Sequence, residues 1–375
     1  MRVLFLTSSY PVPEFPQLGV FVREHARAAA RHAEIAVAHL DRREDARAIR
    51  VEQGTDDAFR SVRVRYPASP SAVSYVSNLG SAFLAYRHLR RAGFEPDVIH
   101  AHFFLAGAPA VVLGRLLRKP VVVTEQWSVF LPDDPMTLGP AMRRVARFTY
   151  EHSDVVMPVS EALRRGIEAI GTKAVFRVVP NVVDTSEFHP DGKPIPSGAL
   201  IGVGNLYDAK GWEYLLEALA LLRDGRRSVR LDLYGDGVLR EELEARVSRL
   251  GIGGLVTFHG WRPKREVAER LRGSDVFAIT SRYDSNPCAV IEALASGVPV
   301  VATAVGGIPE MVTDDSGVLA APGNVEGIAA AIEAALDRTW DRDAIASSAR
   351  DRYGFDRIGE DFAAVYEEAI ARRRR

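Results

Sequence analysis

The sequence predicts an α/β chain folded as two doubly wound domains, and three observations carry that prediction. Short apolar runs alternate with helical patterns along almost all of the 375 residues. The runs are nearly continuous in apolar character, as expected of parallel strands buried on both faces. The alternation pauses once, near residues 178–198, and then restarts. A chain of this length exceeds one ordinary domain and suits two.

In the first half, Val3–Ser8, Glu34–Leu40, Val62–Tyr66, Asp97–His102, Pro120–Glu125 and Val155–Val159 read as strands. Val20–Arg31, Ala82–Ala92 and Pro140–His152 read as helices between them. Such alternation implies a parallel sheet with right-handed crossovers. The pause holds Val178-Val179-Pro180-Asn181 and the segment Asp191-Gly192-Lys193-Pro194-Ile195-Pro196-Ser197-Gly198, whose turn residues mark a linker. Beyond it, Leu200–Gly204, Arg230–Tyr234, Val256–His259, Val276–Thr280, Pro299–Thr303 and Val318–Ala320 read as strands. Lys210–Arg223, Leu239–Leu250, Lys264–Arg272, Pro287–Ser296 and Val325–Ala335 read as helices, and Asp341–Arg373 as helical without a further strand. Open α/β sheets bind ligands beyond the carboxyl ends of their strands. Two such sheets facing each other form a cleft.

Composition narrows the function. Hydrophobic residues make up 47% and charged residues 26%, the balance of an ordinary globular protein. No apolar run is long enough to cross a membrane. The apolar start, Met1–Thr7, lacks a small-residue cleavage site and reads as a buried first strand, not a signal peptide. The single cysteine, Cys288, excludes an intramolecular disulfide and a cysteine-based zinc site. A cytoplasmic address is expected. Residues 1–180 carry a net charge of +6 and residues 181–375 a net charge of −7. The basic half and the tail Arg372–Arg375 suit contact with anionic lipid at the inner face of a membrane; the plain alternative is a solvated surface. Near-neutral charge and the lack of a basic–aromatic motif argue against nucleic-acid binding. Only five lysines accompany 43 arginines, so each lysine draws attention, Lys210 among them.

The most informative stretch is Ser281-Arg282-Tyr283-Asp284-Ser285-Asn286-Pro287-Cys288-Ala289-Val290-Ile291-Glu292. A strand ends near Thr280 and a helix begins at Pro287, with Ser285 or Asn286 as N-cap. The free N–H groups of Cys288 and Ala289 and the positive helix end suit phosphate oxygens. Glu292 shares a helix face with Cys288, where its carboxylate can accept both hydroxyls of a ribose. Asp284, in the loop, can reach a sugar beyond the diphosphate. Next come the strand Gly297–Thr303 and the turn Gly306-Gly307-Ile308-Pro309-Glu310, which opens a second helix at the same rim.

These residues resemble the signature of the retaining family-4 glycosyltransferases of the GT-B type. That pattern is E-x7-E, an [ILV]EA-x-A-x-G-x-PV[VI]A-T stretch, then GG-x-x-E. Here Asp284 and Glu292 form D-x7-E, followed by Ile291-Glu292-Ala293-Leu294-Ala295-Ser296-Gly297 and Gly306–Glu310. The resemblance spans almost the whole chain. It implies domains at 1–180 and 181–354, with a final helix at about 355–375 crossing back to the first. The first would take the acceptor and the second the nucleotide sugar.

The resemblance assigns further residues. Gly202–Trp212 looks like the family's strand–loop–helix with its phosphate-binding Arg and Lys; Lys210, in the first helical turn, matches the lysine, and Asn205 stands in for the arginine. Phe258-His259-Gly260-Trp261-Arg262 resembles the strand end that grips the nucleobase, with His259 a packed strand residue. Pro16–Glu24 resembles the glycine loop, in which Gly19 lets backbone approach the donor phosphate or the acceptor. Asp97–His102 resembles the strand ending in H-x-H at the cleft, which makes His102 a candidate. Val123-Thr124-Glu125-Gln126-Trp127-Ser128 resembles T-E-H-x-S with Gln126 replacing histidine; it can orient a sugar but cannot titrate near neutrality. Asp284 departs from the commoner glutamate.

The implied reaction moves a hexose from a UDP- or GDP-sugar to an acceptor hydroxyl with retention. Domain closure would exclude water. Glycan, exopolysaccharide or glycolipid synthesis on a sugar or lipid-linked sugar is the implied setting. No metal or cofactor is called for, and Asp341-x-Asp343 reads as a chance match to the metal string of another glycosyltransferase fold. An epimerase or phosphorylase shares the two-domain plan but not the motif order. The departures at Asn205, Gln126 and Asp284 keep open a sugar-nucleotide-binding protein without catalysis, and a structural partner would bind no nucleotide.

Overall fold

The computed structural model describes residues 1–56, 59–68, 71–191 and 199–374. Most of the linker at 191–198 and the last tail residue lie outside the described residues. The chain divides into two compact units, one of Met1–Phe130, Met136–Val182 and Phe355–Arg375, the other of Leu131–Pro135 and Val183–Gly354.

The first unit runs β1 (Arg2–Thr7), α1 (Val20–Ala29), β2 (Glu34–Arg43), β3 (Arg50–Asp56), β4 (Phe59–Pro67), α2 (Ser71–Arg91), β5 (Val98–His102), α3 (Phe103–Leu117), β6 (Val121–Glu125), α4 (Pro140–His152), β7 (Val155–Pro158) and α5 (Glu161–Ala169). Its strands order as β3-β4-β2-β1-β5-β6-β7. All pair in parallel except β3, which lies antiparallel on β4. The strand β3 is absent from the sequence reading for a physical reason. Its residues, Arg-Val-Glu-Gln-Gly-Thr-Asp, leave no side chain buried. An edge strand held by backbone pairing needs no apolar pattern. The helix α3 also escapes the reading, because it is apolar on nearly every side and has no helical period to detect. The helix α2 begins eleven residues earlier than Ala82.

The second unit runs β8 (Ala199–Val203), α6 (Trp212–Asp224), β9 (Arg230–Tyr234), α7 (Arg240–Leu250), β10 (Val256–Gly260), α8 (Lys264–Arg272), β11 (Val276–Ile279), α9 (Cys288–Ala295), β12 (Val300–Thr303), α10 (Ile308–Met311), β13 (Gly317–Ala320), α11 (Val325–Asp337) and α12 (Arg342–Tyr353). The six strands, ordered β10-β9-β8-β11-β12-β13, are all parallel. Their core includes Trp212, Tyr234 and Phe277. The C-terminal helical stretch breaks at Gly354, where the backbone turns extended (φ −66°, ψ 156°). The last helix, α13 (Phe355–Arg373), returns to the first unit. There Ile358, Phe362 and Tyr366 join Phe5, Val22 and Val98 in one core.

That core contains three buried imidazoles. His100 stacks on His102 at 4.6 Å, and His25 lies 5.5 Å from His102. His100 is satisfied on both sides, by the Tyr366 hydroxyl (2.8 Å) and the Thr124 hydroxyl (2.7 Å). Loss of hydration disfavours the charged ring. Burial pulls His25 down to about 3, against a hydrogen bond to Asn181 that favours the cation. Burial holds His100 and His102 well below the usual histidine range, and neighbouring imidazoles push the same way. A lowered folded value means that the folded chain binds fewer protons than the unfolded one. Stability is therefore full above the ordinary value and falls as pH drops from there toward 3. Each such histidine costs about 1.4 kcal/mol per pH unit below ~6.5. The denaturant midpoint is expected to drop steeply between pH 7 and 5; an unchanged midpoint over that range contradicts the buried, neutral cluster.

Candidate functional site

In the second unit, the functional candidates gather at the carboxyl ends of β8, β10 and β11. The loop from β11 reaches α9 through Asp284, Ser285, Asn286 and Pro287. Pro287 itself occupies the N-cap position (φ −67°, ψ 118°), and no side chain caps the helix. This corrects the expectation that Ser285 or Asn286 caps and Pro287 begins the helix. Both residues precede the boundary and are buried, 4% and 5% exposed. The Ser285 hydroxyl is enclosed without a hydrogen-bond partner among the described residues. Val290 donates to the Pro287 carbonyl (3.1 Å), so the first-turn N–H groups of Cys288 and Ala289 precede the helix's own bonding.

The ammonium of Lys210 meets the Asp284 carboxylate, Nζ to Oδ2, at 2.5 Å. Lys210 is not in the first turn of α6, as the sequence suggested. It ends a short 3-10 turn, Asp208–Lys210, and Gly211 (φ 53°) separates that turn from α6. A second lysine completes the group: Lys264, at the start of α8, lies 3.6 Å from Glu292. Sequence reasoning missed Lys264, although the scarcity of lysine pointed to it. Asn205 is exposed, and its carbonyl accepts from the Trp212 indole at 3.0 Å. Trp261 and Arg262 are exposed after β10, with Arg262 3.5 Å from Glu266. His259 bonds Asp232 at 2.6 Å and stacks on Tyr234, as a packed strand residue would. The glycine turn at Gly306-Gly307 opens only the single turn α10, and its Gly307 N–H bonds the Asp284 carbonyl (3.0 Å). So it serves chiefly to hold the Asp284 loop.

In the first unit, Gly19 has φ 66°, and a Cβ there would stand 2.4 Å from the Ser9 carbonyl group. The close approach that demands glycine is thus to the chain's own backbone. His102 is fully buried, and neither ring nitrogen has a partner among the described residues. Gln126 reaches His25 at 3.5 Å. Glu125, unassigned by sequence, is the organiser of this segment. Its buried carboxylate accepts from the N–H groups of Phe104 (2.9 Å), Gln126 (3.0 Å) and Trp127 (2.9 Å) and from the Tyr150 hydroxyl (2.7 Å). Burial raises its pKa against those four bonds.

Asp341 caps α12 by accepting from the Ala344 N–H at 2.9 Å, which accounts for one half of the Asp341-x-Asp343 string. Among the described residues, no group of three or more His, Cys, Asp or Glu could hold a metal. No described helix is long and apolar enough to cross a membrane. Two open cavities, about 630 and 430 Å³, lie at the amino ends of the strands in the first and second units, away from these candidates.

Comparison with known proteins covers nearly the whole chain. The family described as Glycosyltransferase Family 4 matches residues 18–187, and that described as Glycosyl transferases group 1 matches residues 186–352. The sulfoquinovosyl transferase SQD2 of Arabidopsis thaliana is 29% identical over 69% of this chain, a match spanning 54% of that protein, about half its length. Sucrose-phosphate synthase from Thermosynechococcus elongatus superposes with a TM-score of 0.79 at 19% identity, covering 99% of this chain and 100% of that one. Anabaena HepE, solved in complex with UDP, superposes at 0.76 and 20% identity, covering 98% and 100%.

The site has one direct chemical probe, the Cys288 thiol. Burial pushes it up to about 12; Glu292 and Asp284 raise it, while Lys264 and Lys210 partly oppose them. The thiol therefore stays neutral across pH 7–9. Since the thiolate is the reactive form, iodoacetamide at pH 8 is expected to label Cys288 on the order of a hundredfold more slowly than free cysteine. Labelling at the free-cysteine rate would mean that the thiol is not held neutral by its surroundings.

Proposed function

Because the chain belongs to the group 1, family-4 glycosyltransferases and folds as two Rossmann-like α/β units, we propose that it transfers a hexose from a nucleoside-diphosphate sugar to an acceptor hydroxyl with retention of configuration. The observation that carries the reading is the convergence of Lys210, Asp284 and Glu292 on the start of α9. The donor is a UDP- or GDP-sugar, held by the second unit, and the acceptor a sugar or lipid-linked sugar, taken by the first.

The demanding event is departure of the diphosphate. The bond from the anomeric carbon to the phosphate oxygen breaks, and its electron pair leaves with the phosphate. Lys210, the Asn205 amide and the N–H groups of Cys288 and Ala289 stabilise that charge. Ser285 and Asn286 line the same loop. Asp284 orients the sugar hydroxyls, and Glu292 accepts from the ribose. Trp261 and Arg262 border the nucleobase. The acceptor oxygen bonds the anomeric carbon on the face the phosphate leaves, and its proton passes to the departing phosphate. In the first unit, Gln126 orients sugar hydroxyls, while His102 stays within the buried core and Gly19 packs on the chain's own Ser9 backbone. No step calls on a metal.

The same reading extends to a membrane. Arg143, Arg144 and Arg147 on α4 and Arg87, Arg90 and Arg91 on α2 are exposed. They suit anionic head groups beside a lipid-linked acceptor. Binding to phosphatidylglycerol vesicles should fall sharply as salt rises; equal binding to neutral vesicles removes this part.

Calorimetry against UDP, GDP, ADP and their hexose conjugates tests the donor. One nucleotide should bind wild type and bind Lys210→Ala about ten- to a hundredfold more weakly, the range for one charged hydrogen bond. Glu292→Ala should weaken turnover comparably. Binding without transfer or donor hydrolysis would favour a non-catalytic sugar-nucleotide-binding protein. No binding at all would favour a structural role.

A further inference from the structure

Lys210 sits on a turn with little rigidity of its own. The turn Asp208–Lys210 has three residues, closed by Lys210 N–H to the Tyr207 carbonyl (3.0 Å) and Gly211 N–H to the Asp208 carbonyl (3.1 Å). A lysine on such a turn would carry its charge on a flexible stem from a flexible base. The remaining restraint comes from the segment that leads to Asp284. The Thr280 hydroxyl donates to the Gly211 carbonyl at 2.7 Å. A Cβ on Gly211 would stand 2.4 Å from the Thr280 carbonyl oxygen, so the two backbones touch. The Arg282 N–H donates to the Ala209 carbonyl at 2.8 Å.

The Arg282 side chain then spans the outside of the turn. Its Nη2 donates to Glu213 in the first turn of α6. Its Nε lies 3.5 Å from Asp208, at the other end of the turn. Its guanidinium carbon lies over the Tyr214 ring, 4.7 Å from the centroid. One planar fork thus ties together the residues on both sides of Lys210. Glu213 is itself well anchored, only 15% exposed and at a helix N-terminus that favours a carboxylate.

We infer that Arg282 is a positioning residue for the donor diphosphate, acting through Lys210 and not by touching the ligand. It holds the 208–214 segment against the 280–284 segment so that the Lys210 ammonium stands beside Asp284. This rests on the donor reading above and deepens it. Arg282 already has its charge countered by Glu213 and Asp208, so its contribution is geometric. A lysine at 282 could reach one of the two carboxylates but could not bridge both while lying over Tyr214.

Glu213 separates a brace from a simple charge. If Arg282 attracted phosphate directly, Glu213→Gln would free its charge and tighten binding. If Arg282 braces the Lys210 turn, Glu213→Gln cuts the brace and weakens binding despite the gain in positive charge. The experiment uses the full chain and whichever of UDP or GDP binds wild type, with the matching nucleoside measured by competition. Arg282→Ala, Arg282→Lys and Glu213→Gln should each bind the diphosphate about tenfold more weakly. The nucleoside, held through Glu292 and the loop after β10, should bind as in wild type. In turnover, KM for the donor should rise more than kcat falls.

Unchanged diphosphate affinity in Arg282→Ala overturns the inference. So does tighter or unchanged binding in Glu213→Gln, or full recovery in Arg282→Lys. An equal loss for nucleoside and diphosphate also overturns it, since that would be general disruption of the unit. Thermal unfolding is read alongside, and Glu213→Gln carries the test alone if Arg282→Ala does not fold. A wild-type chain that binds no nucleoside diphosphate removes the donor reading itself and the inference with it, whereas wild-type binding with indifferent variants removes only the inference.

Discussion

Every strand of the second unit runs in the same direction, and this one constraint governs where its chemistry can sit. A parallel strand cannot return by a hairpin, so each must be followed by a crossover, here a helix in every case between β8 and β13. All the loops that leave the strands therefore emerge along a single edge. Both faces of the sheet are covered and apolar. The polar and charged side chains of the strand-to-helix loops are thereby gathered at that edge. Lys210, Asp284, Glu292 and Lys264 come from three different crossovers, Asp284 and Glu292 from the same one, and meet there because the topology brings those loops to one edge.

Within that edge, the arrangement depends on pairing each cation with a carboxylate. The Lys210–Asp284 and Lys264–Glu292 pairs flank Cys288, and Arg282 is shared between Glu213 and Asp208. Opposed charges fix one another's side chains and limit the desolvation cost of gathering them at a half-buried site. A site assembled in this way is organised before any ligand arrives, which is where a catalyst of charge separation gains most.

The strands of the central sheets were legible from their apolar runs because burial on both faces demands those runs. The loop Asp284–Cys288 was legible as well, since turn residues followed by a helix start leave a clear imprint. Other parts left none. The exposed edge strand β3 is specified by backbone pairing. The helix α3 is too apolar to show a period. Glu125 shows as a buried carboxylate only once the N–H groups of Phe104, Gln126 and Trp127 are folded onto it. Lys264 finds Glu292 across three elements, and the Arg282 brace joins residues about seventy positions apart. Such pairings depend on tertiary approach, for which a single sequence carries no spacing rule. The cap at Pro287 was misread for a smaller reason: a capping residue type within one or two positions of a helix start does not by itself set the register.

The return of α13 to the first unit has a consequence for how the chain is made. The second unit, Val183–Gly354, is an insertion within the first, whose core needs Ile358, Phe362 and Tyr366 to close over the imidazoles of His25 and His100. During synthesis, β1 to α5 leave the ribosome first but lack the helix that seals them. They must wait, with that apolar surface uncovered, while the whole inserted unit is translated and folds. The order of completion is thus the reverse of the order of synthesis, and the interval in which the early half is exposed to chaperones or to aggregation is set by the length of the insertion.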